Sequence, residues 1–384
     1  MTIRIGITFM LIVSLILGLA LSPGANAEEK FPSASAIAVV IYDADFDHVL
    51  YAKNPHQKRS IASLTKVMTI LYICELVQAG NIGLEDVVTA SANAASRGGT
   101  EIKLKSGDKL TVEELLYASA LASANDAAVA LAEYAAGSES EFARLMTRRA
   151  RELGLNDTNF VDATGLLSIY SGNYSTAYEM ALLSRFAMSN DLFRRFVSTK
   201  EYELKAMNKT IRNSNALLHE VHGVNGIKTG ATTPAGHTLI TSVNREGRNL
   251  IVVVLGAPSR EVRNEESEAL VEYTYGRLET VIPKGELIAT VSVPDGVTYM
   301  VGAVLQQDLS IFVFSDQDRM IETKHEIAPG RAPIEKGEKI GELIVLRAGE
   351  EFGRVDLVSD QSTGLASFFR RIWNRIVLFF ARWF

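Results

Sequence analysis

Residues 236–257, GHTLITSVNREGRNLIVVVLGA, contain two strong β segments in close succession. The first covers residues 236–245 and the second residues 248–257, and both are rich in the β-branched and aliphatic side chains that favour strands. Two neighbouring strands of this kind predict a β-hairpin. A helix is predicted directly after it, from about Glu261 to Glu279.

Two more strands are predicted near the start of the chain. ASAIAVVIYDAD (residues 34–45) and HVLYAKN (residues 48–54) carry strand-forming side chains and are joined by a short polar turn. We expect these two strands and the hairpin to form one antiparallel sheet. The sequence between them is rich in helical patterns, so an α+β domain with an inserted helical subdomain is predicted for residues 28–281.

The inserted helical part begins near Ser63. Thr111 and Glu114 have the spacing of a capping box, which marks the start of one helix. Helices are predicted in TVEELLYASALAS (residues 111–123), NDAAVALAEYAA (residues 125–136) and SESEFARLMTRRARELG (residues 138–154).

The sequence changes character after residue 281. LIATVSVP, TYMVGAVLQ, LSIFVFS and KIGELIVLRA are typical of short strands separated by turns, with few helical periods. This pattern predicts a small all-β domain over residues 282–358. Residues 359–384 are predicted to form a linker followed by an amphipathic helix.

The helix predicted for residues 366–384, ASFFRRIWNRIVLFFARWF, has two contrasting faces. Its arginines and its asparagine lie on one side, and Phe, Trp and Ile side chains lie on the other. The segment is too charged to suit a membrane span, but such a helix suits the surface of an anionic membrane. The alternative is a helix that packs on this protein or on a second copy of it.

The start of the chain is typical of an export signal. Arg4 precedes an apolar run from Ile5 to about Leu21, and the small residues Ala25-Asn26-Ala27 follow. We therefore predict a signal peptide over residues 1–27 and an exported protein. The alternative is an uncleaved membrane anchor.

Charge and histidine spacing exclude two classes of function. The 384 residues carry a net charge of -6 with scattered Lys and Arg, so the chain has no basic stripe that could follow a nucleic-acid backbone. Nucleic acid is not expected as a partner. No metal or cofactor is expected either, because no metal-ligand spacing is shown by His56, His219, His222, His237 and His325.

Ser63 and Lys66 lie three positions apart in SLTK, at the head of a predicted helix. Residues at this spacing share one helix face, and that face also carries Val67 and Ile70. Burial lowers the pKa of a lysine toward the range in which the neutral amine can take a proton from a hydroxyl. The alternative is a helix-capping serine beside a lysine that reaches solvent.

Two other short motifs contain residues suited to the same chemistry. Ser123 and Asn125 lie between two predicted helices in SAN, and Lys228, Thr229 and Gly230 precede the hairpin in KTG. Each motif alone is weak evidence, because similar strings occur elsewhere in the chain. Order and context distinguish these three.

SLTK, SAN and KTG in this order resemble the motifs of the serine penicillin-recognising enzymes. Longer strings, including ALASANDAAVALAE, NYSTAYEMALLSR, NSNALL and VNGIKTGATTPAGHTLI, resemble the low-molecular-mass D-alanyl-D-alanine carboxypeptidases. The resemblance runs from about residue 33 to residue 280. It implies a β-lactamase/transpeptidase-like domain, a β-rich second domain and a peripheral anchor on the outer (periplasmic) face of the cytoplasmic membrane.

The resemblance also implies a reaction. Ser63 would attack the penultimate carbonyl of a peptidoglycan stem peptide ending in D-Ala-D-Ala, and water would resolve the acyl-enzyme after D-alanine has left. Penicillins and other β-lactam antibiotics would acylate the same serine. Lys66 would be the base, Ser123 would relay a proton to the leaving amine, and Asn125 would bind the substrate backbone and orient Lys66.

The other residues implied by the resemblance bind substrate. Lys228 would attract the terminal carboxylate and, through its charge, lower the proton affinity of Lys66. Thr229 would donate a hydrogen bond to the same carboxylate. Gly230 would let the substrate lie against the strand edge.

The resemblance implies roles for two further residues, Ala231 and Arg263. The backbone N–H groups of Ser63 and Ala231 would form the oxyanion hole, although the family often has a larger side chain at the position of Ala231. Arg263 aligns with an arginine that can reach the substrate carboxylate. Its alternative is a solvated arginine on the helix after the hairpin.

Two other functions fit parts of the sequence. A class A β-lactamase needs a glutamate for deacylation, and Glu152 in ELGLN matches that enzyme's loop string. We expect instead that Glu152 ends a helix, with Gly154 as the stop. The other alternative is a non-catalytic penicillin-binding scaffold held at the membrane by its tail.

Overall fold

The computed structural model describes residues 31–166, 172–328 and 330–380; the predicted signal peptide and the last four residues of the tail lie outside this part. The strands are β1 (Ala38–Asp43), β2 (His48–Lys53), β3 (Arg59–Ser60), β4 (Val87–Thr89), β5 (Lys109–Thr111), β6 (Tyr174–Ser175), β7 (Glu201–Leu204), β8 (Lys209–Arg212), β9 (Val224–Thr232), β10 (Gly236–Arg245), β11 (Arg248–Ala257), β12 (Leu278–Ile282), β13 (Leu287–Ser292), β14 (Met300–Leu305), β15 (Leu309–Phe312), β16 (Ile321–Ile327), β17 (Lys339–Arg347) and β18 (Glu350–Ser359). The helices are α1 (Lys66–Gln78), α2 (Ala92–Ala95), α3 (Val112–Leu121), α4 (Asn125–Ala136), α5 (Glu139–Glu152), α6 (Ala177–Ser189), α7 (Asp191–Ser198), α8 (Leu217–Glu220), α9 (Arg260–Tyr275) and α10 (Phe368–Phe380).

The main sheet is antiparallel, with strand order β2-β1-β11-β10-β9. The predicted hairpin is present as β10 and β11, and its register ends with Arg245 opposite Arg248. The strands predicted at residues 34–45 and 48–54 are β1 and β2, and β1 pairs with β11. The KTG motif lies in β9, so the motif occupies an edge of this sheet.

Alternate residues of β11 bury opposite faces of the sheet. Val253 and Leu255 face the helical layer around α1, whereas Val252 and Val254 face α9. Such two-residue alternation follows from strand geometry, and here both faces are apolar because each is covered by helices. The central strand is therefore buried on both faces, and β10 lies between it and the edge strand β9.

The predicted capping box at the start of α3 is confirmed. Glu114 N donates to Thr111 Oγ1 at 3.1 Å, and Thr111 N donates to the Glu114 carboxylate at 3.1 Å. Helix α4 begins at Asn125 and α5 ends at Glu152, close to the predicted bounds.

The helix after the hairpin is shorter than predicted. It ends at Tyr275, because Leu278–Ile282 forms β12 and pairs with β15. Pairing with a distant strand outweighs the helical propensity of these few residues. The domain boundary predicted after residue 281 falls inside β12.

The β-rich part contains a sheet with the order β13-β14-β18-β17-β16. Its core includes Val301, Leu343, Val345 and Leu357. Strands β16 and β18 were not predicted from the sequence. The side chains of β16 are largely exposed at the sheet edge, so no buried face imposes an alternating pattern on that sequence.

Helix α10 touches the β-rich part through its polar side. Asn374 is buried, and its Nδ2 donates to Gly296 O at 2.8 Å and to Pro294 O at 3.3 Å. Phe369 and Trp373 on the same helix are largely exposed. Within the described residues, no helix has the length and apolar content that a membrane span requires.

Candidate active site

Ser63 lies in a 3₁₀ turn, Ala62–Thr65, directly before α1. No side chain caps this turn or α1, so the alternative that Ser63 is a helix cap is wrong. Ala62 has a positive φ of 48°, a conformation that residues with a side chain rarely adopt. Strained backbone of this kind clusters at functional sites.

Two glycines allow other segments to approach this turn closely. A Cβ atom on Gly165 would lie 1.9 Å from Ala62 O, and the φ of Gly165 is +81°. A Cβ atom on Gly230 would lie 3.0 Å from Ser63 N and 2.7 Å from Thr238 Oγ1. Strand β9 and the loop before residue 166 therefore contact the 3₁₀ turn that carries Ser63 directly.

Lys66 is fully buried, and its ammonium group is held by oxygen atoms. Nζ donates to Ser63 Oγ at 3.2 Å, to Asn125 Oδ1 at 2.7 Å and to Thr164 O at 3.1 Å. The sequence pattern placed Lys66 on a helix face with Val67 and Ile70, but its nitrogen contacts polar atoms in the structure. Because α1 starts at Lys66, its side chain leaves the apolar face of the helix and faces α4 and the loop containing Thr164.

Burial nevertheless lowers the pKa of Lys66 to about 7. The carboxylates of Asp162, Asp126 and Glu139 act in the opposite direction and favour the protonated form. Near neutral pH, a large fraction of Lys66 is therefore neutral while still hydrogen-bonded to Ser63.

Ser123 and Asn125 occupy the connection between α3 and α4. Ser123 is buried and has a positive φ of 58°. Asn125 accepts the Lys66 hydrogen bond, and its Nδ2 donates to Gly98 O at 2.8 Å. The segment around Gly98 thus fixes the orientation of the amide that in turn orients Lys66.

Lys228 is buried on β9, and its Nζ donates to Thr229 O at 3.2 Å. Burial holds the pKa of Lys228 well below its usual range, and repulsion from Lys66 and Arg263 lowers it further. We predicted that Lys228 lowers the proton affinity of Lys66. The main cause of the lowered Lys66 pKa is instead the burial of Lys66 itself.

Sequence reasoning assigned no role to Ser214. Its Oγ lies 3.0 Å from Thr229 Oγ1, and its N donates to Leu121 O at 3.0 Å. Ser214 belongs to NSNALL, one of the strings on which the family resemblance rests. This string could have marked Ser214 as a candidate site residue. The contact holds the hydroxyl of the KTG motif in place.

Arg263 is only 3% exposed, so the alternative of a solvated arginine is wrong. Its guanidinium donates to Asn264 Oδ1 and, at 3.5 Å, to Thr238 O. Thr238 is opposite Gly230 in the β9–β10 pair. Burial lowers the pKa of Arg263 to about 10, and the group adds a cation beside the KTG strand.

Ala231 follows the motif on β9, and its side chain is exposed. Glu152 is 51% exposed and forms ion pairs with Arg149 and Arg148 on α5. These cations hold the carboxylate at the surface of the helix. The β-lactamase alternative therefore loses the glutamate on which it depended.

Comparisons with known proteins agree with this geometry. Residues 25–259 match the family described as D-alanyl-D-alanine carboxypeptidase, and residues 277–364 match the one described as penicillin-binding protein 5, C-terminal domain. The chain is 33% identical over 374 residues to the D-alanyl-D-alanine carboxypeptidase DacF of Bacillus subtilis. That alignment covers 93% of this chain and 95% of the relative.

Two solved structures share the fold. Penicillin binding protein 5 from Haemophilus influenzae has a TM-score of 0.66 at 27% identity, covering 87% of this chain and 99% of that chain. Penicillin-binding protein D2 from Listeria monocytogenes, solved in an ampicillin-bound form, has a TM-score of 0.59 at 27% identity. It covers 64% of this chain and all (100%) of that chain.

Proposed function

The chain belongs to the D-alanyl-D-alanine carboxypeptidase family S11 of serine peptidases, and we propose that Ser63 is its nucleophile and Lys66 its base. Members of this family are penicillin-binding hydrolases that act on peptidoglycan peptides ending in D-Ala-D-Ala. The observation that carries the assignment is the 3.2 Å contact between Lys66 Nζ and Ser63 Oγ in a buried setting.

Acylation starts from the neutral amine of Lys66. It accepts the hydroxyl proton of Ser63 while Oγ bonds to the penultimate carbonyl carbon. Ser123 then relays this proton from Lys66 to the departing amine, the C–N bond breaks, and D-alanine leaves. A water molecule gives one proton to Lys66 as its oxygen attacks the ester carbon, and that proton returns to Ser63 Oγ when the ester bond breaks.

The developing negative charge on the carbonyl oxygen needs nearby donors. We assign this role to the backbone N–H groups of Ser63 and Ala231. The close approach of Gly230 to Ser63 N supports it, because β9 lies directly against the nucleophile turn.

The substrate's terminal carboxylate requires positive charge and a hydroxyl donor. Arg263 and Thr229 supply these groups at the β9–β10 edge, and a bound carboxylate would favour the protonated form of Lys228 beside them. Their burial strengthens any charge interaction that they make with a bound carboxylate. Gly230 leaves the strand edge open for the substrate backbone.

The test combines two substrates. The purified protein is incubated with a pentapeptide ending in D-Ala-D-Ala and, separately, with a fluorescent penicillin. We expect D-alanine release and a covalent label on Ser63, and we expect the Ser63→Ala variant to show neither. Ser106→Ala is the matched control, because Ser106 and Lys109 repeat the SxxK spacing in an exposed turn. Labelling without D-alanine release would favour the non-catalytic scaffold.

We also propose that the protein is exported and rests on the membrane surface through residues 366–384. The exposed aromatic side chains of α10 and the arginines beside them support this role. The docking of Asn374 onto the β-rich part leaves those aromatic side chains free to insert.

A truncated chain tests the anchor. We expect residues 28–384 to sediment with anionic vesicles and residues 28–365 to stay in solution while remaining acylated by penicillin. A truncated protein that still sediments with the vesicles would contradict the assignment.

A further inference from the structure

Asp162 is a buried acid to which the mechanism above gives no task. Its side chain is 1% exposed. Oδ1 accepts from Thr164 N at 2.7 Å, from Thr164 Oγ1 at 2.8 Å and from Gly165 N at 2.6 Å. Asn173 Nδ2 donates to the same oxygen at 3.5 Å, and together these donors fix the turn that follows Asp162.

This turn supports both halves of the acylating pair. It presents Thr164 O to Lys66 Nζ at 3.1 Å. It also places Gly165 against Ala62 O, which belongs to the turn that carries Ser63. A change at Asp162 is therefore transmitted to Lys66 and to the nucleophile turn.

The charge of Asp162 also reaches Lys66. Oδ2 is buried and accepts no hydrogen bond within the described residues. Other charged groups act on the same site: Asp126 from α4, Glu139 from α5, where it pairs with Arg97, and Lys228 from β9. Among the acids, Asp162 opposes the lowering of the Lys66 pKa most strongly.

We propose that Asp162 is a positioning residue that acts through Lys66: it fixes the Thr164 carbonyl against the lysine, and its charge sets the pH at which the lysine can accept the serine proton. The proposal rests on the assignment of Ser63 and Lys66 above. A lysine that loses its proton too readily is a weak base, and one that holds it too tightly is protonated at working pH. Asp162 keeps Lys66 between these limits.

The experiment is the rate of Ser63 acylation by a fluorescent penicillin, measured from acid to alkaline pH. Asp162→Asn keeps an oxygen acceptor for the turn and removes the charge. We expect the acid limb of its profile to move to lower pH by about one unit, because Lys66 loses a neighbouring negative charge. The plateau rate falls as well, since the lysine becomes a weaker base.

Two further variants make the result decisive. Asp162→Ser also removes the charge and keeps a small acceptor, so it answers the question if the Asn variant does not fold. Glu152→Gln is the matched control, because this exposed carboxylate pairs with arginines on α5; its acid limb should stay in place.

An acid limb that moves in the Asp162 variants and not in Glu152→Gln supports the inference. An unmoved limb in a folded Asp162 variant, with normal labelling of the wild type, overturns the inference and leaves the proposed function intact. A wild-type protein that is not acylated at Ser63 overturns both.

Discussion

Lys66 has no exposed surface, and its nitrogen is surrounded by the oxygens of Ser63, Asn125 and Thr164. Oxygen acceptors alone would favour a charged ammonium. Burial acts against the charge and prevails, so the pKa falls to about 7. The site therefore keeps the Lys66 amine beside Ser63 while favouring its neutral form more than water does.

Gly165→Ala tests how tightly the turns around Ser63 are packed. The added Cβ would meet Ala62 O, so we expect loss of acylation and a large fall in the free energy of unfolding. Gly137→Ala is the control, since Gly137 also has a positive φ of 77° but no atom near its Cβ position. The control should lower the free energy of unfolding by about 1–2 kcal/mol, and Gly165→Ala should lower it by about 1–3 kcal/mol more. Equal losses in urea unfolding would show that the contact does not matter.

Ser214→Ala tests the support of Thr229. If Thr229 donates to the substrate carboxylate, it must accept the proton of Ser214 across the 3.0 Å contact. Losing that hydrogen bond should lower kcat/KM on a pentapeptide roughly two- to tenfold, mainly through a higher KM. Ser214→Thr should restore most of the activity. Unchanged kinetics in Ser214→Ala would exclude this role.

At the scale of elements, the predictions from the sequence were most accurate for segments with a periodic side-chain pattern or a local side-chain contact. The hairpin β10–β11 and the capping box of α3 were identified because their side chains repeat or pair within a few residues. The three motifs also located Ser63, Lys66 and Asn125, which the fold brings together.

The remaining parts of the site come from irregular segments. Asp162 and Thr164 act through a loop, and Ser214 acts from a loop on a strand residue 15 positions later in the chain. No periodic pattern marks such residues. Strand β12 was likewise missed because its partner, β15, lies outside its local sequence.

Asn374→Ala tests whether α10 is fixed to the β-rich part. The variant loses the hydrogen bonds to Gly296 O and Pro294 O, so we expect faster hydrogen exchange in the helix and faster proteolysis in the linker before it. Arg370→Ala is the control, because Arg370 is exposed on the same helix. Identical exchange in both variants would show that Asn374 does not hold the helix.

At the scale of the whole molecule, a buried cation lies where the two parts of the chain meet. Arg248 pairs with Asp43, and its guanidinium lies 4.0 Å from the ring centre of Phe46. Phe46 comes from the turn between β1 and β2 but packs in the core of the β-rich part, where it contacts Phe352. This contact was not predicted from the sequence, since a single aromatic side chain in a turn forms no pattern.

Arg248→Met should destabilise the protein by about 3–5 kcal/mol, because it leaves the buried Asp43 carboxylate unpaired. Burial already raises the pKa of Asp43, and Arg248 opposes that rise. In the variant, the carboxyl group should therefore bind a proton at higher pH, so the loss should shrink as the pH is lowered. Urea unfolding at several pH values measures this. Arg144→Met, which removes an exposed pair with Glu141, should have little effect. A similar loss of stability in both variants would contradict the role assigned to Arg248.

The pH dependence of Ser63 acylation tests the central claim most directly, namely that a buried, neutral Lys66 takes the proton of Ser63. We predict that the rate constant for acylation by penicillin rises with pH and levels off with an apparent pKa of about 7. Lys66→Met should abolish the reaction at every pH. A rate that does not change across neutral pH, or a Lys66→Met variant that is still acylated at the wild-type rate, would contradict the account.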